Sequence, residues 1–228
     1  MMDPNHDKRF PNESPEYREA RERLLEAELE LRQQTEEVAR LRRQLPLGGE
    51  IEENYEFEEM AEDGSVRTVQ FSSLFDPHDS LILYSFMYGP DWEKPCPMCT
   101  SVMDGVDGNI QYVQRRAGFA MVAKAPIDKL AAWGRERGWR RIRLLSSCNN
   151  SFNADYNAEF PSDYGDQHPV MHVFTKRDGK IHHFWSSEVL YVPSQTDPRH
   201  VDPVWPLWNL LDLTPQGRGD LYPKYEIK

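Results

Sequence analysis

From Tyr17, the apolar residues Leu24, Leu31, Val38 and Leu45 recur at a seven-residue interval. Ala20, Ala27, Gln34 and Leu41 stand three positions further on. A narrow apolar stripe in a polar surround predicts one long amphipathic helix. Ser14-Pro15-Glu16 supplies its start, with Ser as N-cap, Pro at the first helical position and an acid in the first turn. Gly48-Gly49 supplies its stop. The expectation is a helix over 14–47 behind a polar, disordered segment over 1–13. Its stripe would rest along its own domain or form a coiled-coil-like homodimer contact, and Gln34 weakens the second series.

After Gly49 the period changes. "YEFEEMAEDGSVRTVQF" predicts a hairpin turning at Asp63-Gly64, and "SSLFDPHD" a loop. "SLILYSFMY" (80–88) is a continuous apolar run of β-formers, as in a strand buried on both faces. Cys99, Val102, Met103, Val106, Ile110 and Val113 keep helical spacing, so residues 96–116 read as one helix. Gly105 and Gly108 would each cost it roughly 1 kcal/mol. Further on come a strand (118–126), a helix stopped by Gly138 (126–138) and a strand (141–147). A loop, "FPSDYGDQHP", precedes a hairpin over 170–185 turning at Asp178-Gly179. Strands alternating with helices and closed by a hairpin predict an α/β domain with a mixed sheet over 48–192. The proline-rich tail 193–228, with Trp205 and Trp208, is expected to lie over the core as an arm.

Composition narrows the choices. The chain has 228 residues, 39% hydrophobic and 29% charged, enough for one core domain with appendages. A net charge of −11 would repel a phosphate backbone, and "RERGWRRIR" and "RLRRQ" are short basic runs set among acids, so nucleic acid is not an expected partner. No apolar run reaches the roughly 18 residues of a membrane span, and no secretory signal is visible, so a reducing cytoplasm is expected. There a lone CxxC is more often redox-active or metal-binding than structural.

That pair is Cys96 and Cys99, in "GPDWEKPCPMCTSVMDG". Only a thiolate exchanges with disulfides, and a helix N-terminus favours the anion through unpaired N–H groups and partial positive charge. Placed after a buried strand, Cys96 would sit exposed on the first turn, with Cys99 one turn deeper on the same face. Cys96 thus suits the nucleophile and Cys99 the resolving thiol. Pro97 stiffens that turn without wasting a donor. His168-Pro169 lies in a loop before a strand, where the bond is expected to be cis and to face the dithiol. His168 would then tune Cys96 or shuttle its proton, or would be a plain surface histidine.

These residues resemble the thioredoxin superfamily, and more closely a thioredoxin-like family catalogued as domain of unknown function 899. The likeness runs through "LRRQLP", "LILYSFMYGPDWEKPCPMCTSVMDG", "KAPIDKLAAWGRERGW", "LLSSCNNSFNADY" and "DPRHVDPVWPLWNLLDLTPQGRG". It implies a thioredoxin-like fold and a dithiol-disulfide oxidoreductase acting on a protein or small-molecule disulfide, with no cofactor and no metal. Trp92 stands four residues before Cys96, whereas thioredoxin has Trp directly before its first cysteine. No Pro-x-x-x-Thr/Ser-x-x-Cys pattern of peroxiredoxins precedes either cysteine.

Two other classes stay open. Cys96, Cys99 and His168 would hold copper or zinc with a fourth ligand from His172, His182, His183 or His200. A non-catalytic protein would use the long helix to dimerise or hold a partner. Asp104, Asp107 and the acids of "EFEEMAEDG" read as solvated charges, and Cys148 as a half-buried small residue or a disulfide partner of the site.

Overall fold

Ser14 caps helix α1 (Pro15–Arg43) in the computed structural model, its hydroxyl accepting the Tyr17 N–H at 3.2 Å. The structure describes residues 8–163, 165–192, 199 and 201–225. Within α1, Glu16 opens the helix and Arg40, Arg42 and Arg43 close it, complementing its dipole. Ion pairs such as Arg18–Glu22 (3.1 Å) and Arg23–Glu19 (2.6 Å) face solvent, which screens them, so each adds little. The chain divides into two units, Met1–Pro46, which holds α1, and Leu47–Lys228. Among the described residues no helix is long and apolar enough to cross a membrane.

The second unit is built on a seven-stranded sheet in the order β2-β1-β5-β4-β3-β8-β9. Its strands are β1 (Glu56–Met60), β2 (Val66–Gln70), β3 (Ser80–Ser85), β4 (Gly118–Ala123), β5 (Arg143–Ser146), β8 (Val170–Arg177) and β9 (Lys180–Ser186). β3, β4 and β5 are parallel, joined by crossovers through α2 (Pro97–Asp107), α3 (Ile110–Val113) and α4 (Ile127–Arg137). β8 runs antiparallel to β3 and turns back into β9. This is a thioredoxin-like α/β fold, with the CxxC helix following the interior strand β3.

Strand alternation divides the apolar side chains between two cores. From β3 and β4, Tyr84, Phe119, Met121 and Ala123 face the side covered by α2 and α4. Leu81, Leu83, Ala120 and Val122 face the other side, with Phe57, Phe71, Phe75, Phe152 and Phe174. There the aromatic rings meet edge-on, Phe71 and Phe174 at 5.0 Å and Phe57 and Phe152 at 5.3 Å. Burying each Phe stabilises the fold by about 1.5–3 kcal/mol. Gly118 starts β4 where any Cβ would stand 2.4 Å from the Leu74 carbonyl, so close approach excludes a side chain there.

Several local expectations change. The region 72–79 is partly a 3-10 turn (Phe71–Phe75) that drives three apolar side chains into the core. The loop before β8 carries a small ribbon, β6 (Glu159–Ser162) with β7 (Gly165–Gln167), beyond a short helix α5 (Phe152–Asp155). The helix over 96–116 breaks at Gly108-Asn109 into α2 and α3.

The acids read as solvated are structural. Asp107 accepts the N–H groups of Arg140, Arg141 and Ile142 at 3.1, 2.9 and 3.1 Å. Asp104 pairs with Arg137 and takes the Trp139 indole N–H at 2.8 Å. Together they fasten the C-terminal half of α2 to the link between α4 and β5. Glu59 bridges Arg143 (2.6 Å) and Arg67 (2.9 Å), holding the β1–β2 hairpin to β5. Burial pushes its carboxyl up, but the two guanidiniums hold it below the ordinary range.

Residues 1–7 of the expected disordered segment, and 193–198, 200 and 226–228 of the expected arm, lie outside the described residues. The described part of the arm carries α6 (Leu207–Leu211) and buries Trp205 and Trp208 in the dithiol-side core, their rings 4.5 Å apart. The Trp205 indole donates to Ser101 Oγ on α2 at 3.1 Å. Trp208→Ala should destabilise the protein by about 3–5 kcal/mol, because it removes a fully buried indole and leaves a cavity. Denaturant unfolding followed by circular dichroism measures it, and a loss below about 1 kcal/mol would show that this tryptophan does not seal the core.

Candidate active site

Beyond Ser85 the chain stays beside β4 for three residues, Phe86 N–H bonding Val122 O and Ala125 N–H bonding Tyr88 O, both at 2.8 Å. It then swings out through Gly89-Pro90-Asp91-Trp92. A Cβ on Gly89 would stand 2.7 Å from the Trp92 indole, and one on Gly165 at 3.2 Å, so two glycines make the slot that the ring occupies. Lys129 of α4 fastens this loop by donating to Pro90 O (3.1 Å) and Trp92 O. The chain returns at Cys96, whose N–H bonds Met87 O at 2.9 Å.

Cys96 is the N-cap of α2, extended at φ −65°, ψ 128°, with Pro97 at the first helical position. Its sulfur is part-buried, with the Cys99 thiol and the N–H groups of Cys99 and Met98 nearby in the same turn. The Cys99 thiol is the largest influence, burial opposes it, and the helix N–H groups add to it; the pKa falls to about 7. Cys99 lies one turn deeper and is 1% exposed. Burial first, then the neighbouring Cys96 and its negative charge, push its thiol well up. The neighbouring Tyr84 hydroxyl and Met87 N–H act the other way. All three cysteines are free thiols.

Tyr84 and Tyr225 escape a reading based on the sequence. Tyr84 lies in the interior of an apolar strand, and only the parity of β3 puts it beneath α2. Tyr225 is distant in the chain, yet its ring packs edge-on to Trp133 at 5.3 Å with Lys94 Nζ 5.5 Å above it. Burial, then the neighbouring Cys96 and Cys99, push its phenol up to about 12.

The His168-Pro169 expectation is corrected. The cis bond among the described residues is Asp76–Pro77, and the bond before Pro169 is trans. The His168 ring stacks on Phe160 at 3.7 Å, with Nε2 2.8 Å from Phe160 O. Its polar edge is therefore engaged in the turn before β8.

The soft-metal reading meets the same kind of obstacle. His172 packs with Phe152, Tyr156 and Phe174 on the sheet face away from the dithiol. His172 Nδ1 and His183 Nε2 converge on Ser186 Oγ at 2.7 and 2.8 Å. His182 turns to Gly48 O at 3.3 Å, and His200 lies outside the described residues. Among the described residues no three His, Cys, Asp or Glu side chains gather as a metal site. Cys148 directs its thiol at Glu58 (3.5 Å), and burial pushes its pKa up.

The family described as "Bacterial protein of unknown function (DUF899)" matches residues 7–227. No curated protein matches the chain. Similar solved structures include reduced Prx3 of Vibrio vulnificus in complex with H2O2, at 13% identity and TM-score 0.44, covering 67% of this chain and 92% of that one. AhpC of Enterococcus faecalis is similar at 11% identity and TM-score 0.47, covering 78% and 98%. Peroxidoxin BcpB of Mycobacterium tuberculosis is similar at 18% identity and TM-score 0.43, covering 71% and 94%.

The thiol geometry carries a pH dependence. Iodoacetamide should alkylate Cys96 with a rate that rises through a midpoint of about 7. Cys99→Ala removes the largest contribution that lowers the Cys96 pKa, so the midpoint should move up toward the ordinary thiol value of about 8.5. Peptide mass mapping across a pH series reads both, and an unchanged midpoint in the variant would show that Cys99 does not hold the Cys96 anion.

Proposed function

The chain belongs to the bacterial family described as DUF899, and we propose that it is a dithiol-disulfide oxidoreductase, with Cys96 as nucleophile and Cys99 as resolving thiol. One observation carries the reading: a part-buried free thiol, Cys96, is the N-cap of α2, with a second free thiol, Cys99, one turn deeper in the same helix. A buried structural cysteine has its pKa raised by its apolar surroundings and is inert; Cys96 departs from that pattern and Cys99 follows it.

The reaction then runs in two exchanges. The Cys96 thiolate attacks one sulfur of a protein or small-molecule disulfide; a Cys96–S–S–R bond forms, the substrate S–S bond breaks, and the second substrate sulfur leaves with the electron pair and takes a proton from solvent. Cys99 next attacks Cys96 Sγ. The Cys96–Cys99 bond forms, the R sulfur leaves with its electron pair, and the Cys99 proton passes to it. Two electrons have moved to the substrate, and an external thiol reductant of the cytoplasm restores the dithiol. Pro97 keeps the attacking turn stiff, and Trp92, fixed between two glycines, walls the approach.

Cys96→Ser should abolish reduction of a model protein disulfide such as insulin. Cys99→Ser should retain the first exchange and accumulate a mixed disulfide on Cys96, visible as an added mass that a reductant removes. Full insulin reduction by Cys96→Ser would remove that residue from the role. In the wild type, titration across a set of thiol redox buffers should convert both cysteines together, with a loss of two hydrogens by mass.

A further inference from the structure

Helix α1 runs 29 residues and buries none of its side chains. Most helical stability in proteins comes from an apolar face resting on something, and a helix without one is marginal in water. The candidate face of α1 is its seven-residue series, along which Tyr17, Leu24, Leu31 and Val38 are 41–68% exposed. In heptad terms this series occupies a, and Ala20, Ala27, Gln34 and Leu41 occupy d. The residue before each a is then g, and the residue after each d is e.

We propose that the α1 stripe is the seam of a parallel, in-register, two-stranded coiled coil with a second copy of this chain. The inference is independent of the dithiol chemistry.

The charges that flank the seam choose both the partner and its direction. In a parallel pair each g residue faces an e residue of the next heptad in the other copy. Glu16 then meets Arg21 of the second copy, Arg23 meets Glu28, and Glu37 meets Arg42. Two-fold symmetry repeats each contact. Glu30 faces Thr35, so no like charges oppose one another. Slipping one copy by a heptad brings Glu16 against Glu28 and Arg23 against Arg21. Turning one copy round, with the layers from Tyr17 to Leu41 kept, sets Glu28 and Glu30 each against its own counterpart. Arg23 with Glu37 is then the one opposite-sign match left.

The seam agrees with the flanks. Gln34 interrupts the apolar layers, and in register it meets Gln34 of the second copy, where two amides have both donors and acceptors to exchange. The reversed seam sets it against Leu24 and leaves the amide without a partner. A polar residue at one core layer fixes register in this way. Within a single chain the same flanking charges make short-range pairs: Arg23 with Glu19 at 2.6 Å, Glu37 with Arg40, and Arg21 with Glu28 at 3.8 Å. Solvent screens these, so they yield readily to contacts across the seam.

The test is the mass of the full chain in solution, read by light scattering on a sizing column, where one chain weighs 26.7 kDa. The wild type should run at twice that mass. Reversal of the g flank, Glu16→Lys with Arg23→Glu and Glu37→Lys, puts like signs at each charged contact of the parallel pair and should halve the mass. Reversal of the e flank as well, Arg21→Glu with Glu28→Lys and Arg42→Glu, restores opposite signs and should restore the doubled mass. The restored protein carries the same g-flank changes, so its return to a dimer separates lost pairing from a lost helix. An antiparallel coil would ignore the first reversal, because Arg23 and Glu37 would exchange signs together. A doubled mass that survives the first reversal would therefore overturn the proposal. So would a wild type of any other mass, or a doubly reversed protein that stays single.

Discussion

The first turn of any α-helix presents N–H groups with no carbonyl partner within the helix, and in α2 they meet a cysteine, Cys96, at the N-cap. Everything chemical about the site depends on that meeting. Thiols are ordinarily protonated at neutral pH, and the exposed end of a helix is one of few places where backbone alone favours the anion. The meeting also requires a fixed entry for the chain. Met87 provides it, its carbonyl taking the Cys96 N–H. A single residue just beyond β3 thus ties the opening of α2 to the sheet.

The sheet decides which groups can take part. Alternating side chains send Tyr84 to one face and Leu83 to the other, and the same parity in β8 separates Met171 from His172. The pair of imidazoles that meets at Ser186 therefore belongs to the aromatic core opposite the dithiol. Burial pushes His172 down to about 3, so it stays neutral through the physiological range. What surrounds the cysteines instead is aromatic: Trp92, Tyr84 and Tyr225.

The sequence shows the architecture more clearly than the site. Continuous apolar runs of β-formers reveal the interior strands and the seven-residue repeat reveals α1, because each is a local pattern in the chain. Cys96 at a helix start and Pro97 at the first position are legible for the same reason: capping is a property of three or four consecutive residues. Asp107 looks like any solvated acid, because its three N–H partners are more than thirty residues away and appear only once α4 is docked. His168 beside a proline looks like part of the site, yet Phe160, eight residues earlier, claims its ring. Gly108 and Asn109 end α2 where apolar spacing continues unbroken to Val113, so the hydrophobic pattern alone overextends the helix. In each case the deciding contact is remote in the chain.

The anchoring of α2 is lopsided. Its far half is riveted by Asp104 and Asp107 and its middle by the Ser101–Trp205 bond, whereas its opening turn hangs from the Met87 carbonyl. A sulfur–sulfur bond closing between residues 96 and 99 must then draw on the pliable end, by rotation of two side chains and a slight shift of the segment around Trp92. The rest of the helix has no slack to give. On the proposed function, the change that accompanies electron transfer would stay confined to the opening turn and the loop around Trp92.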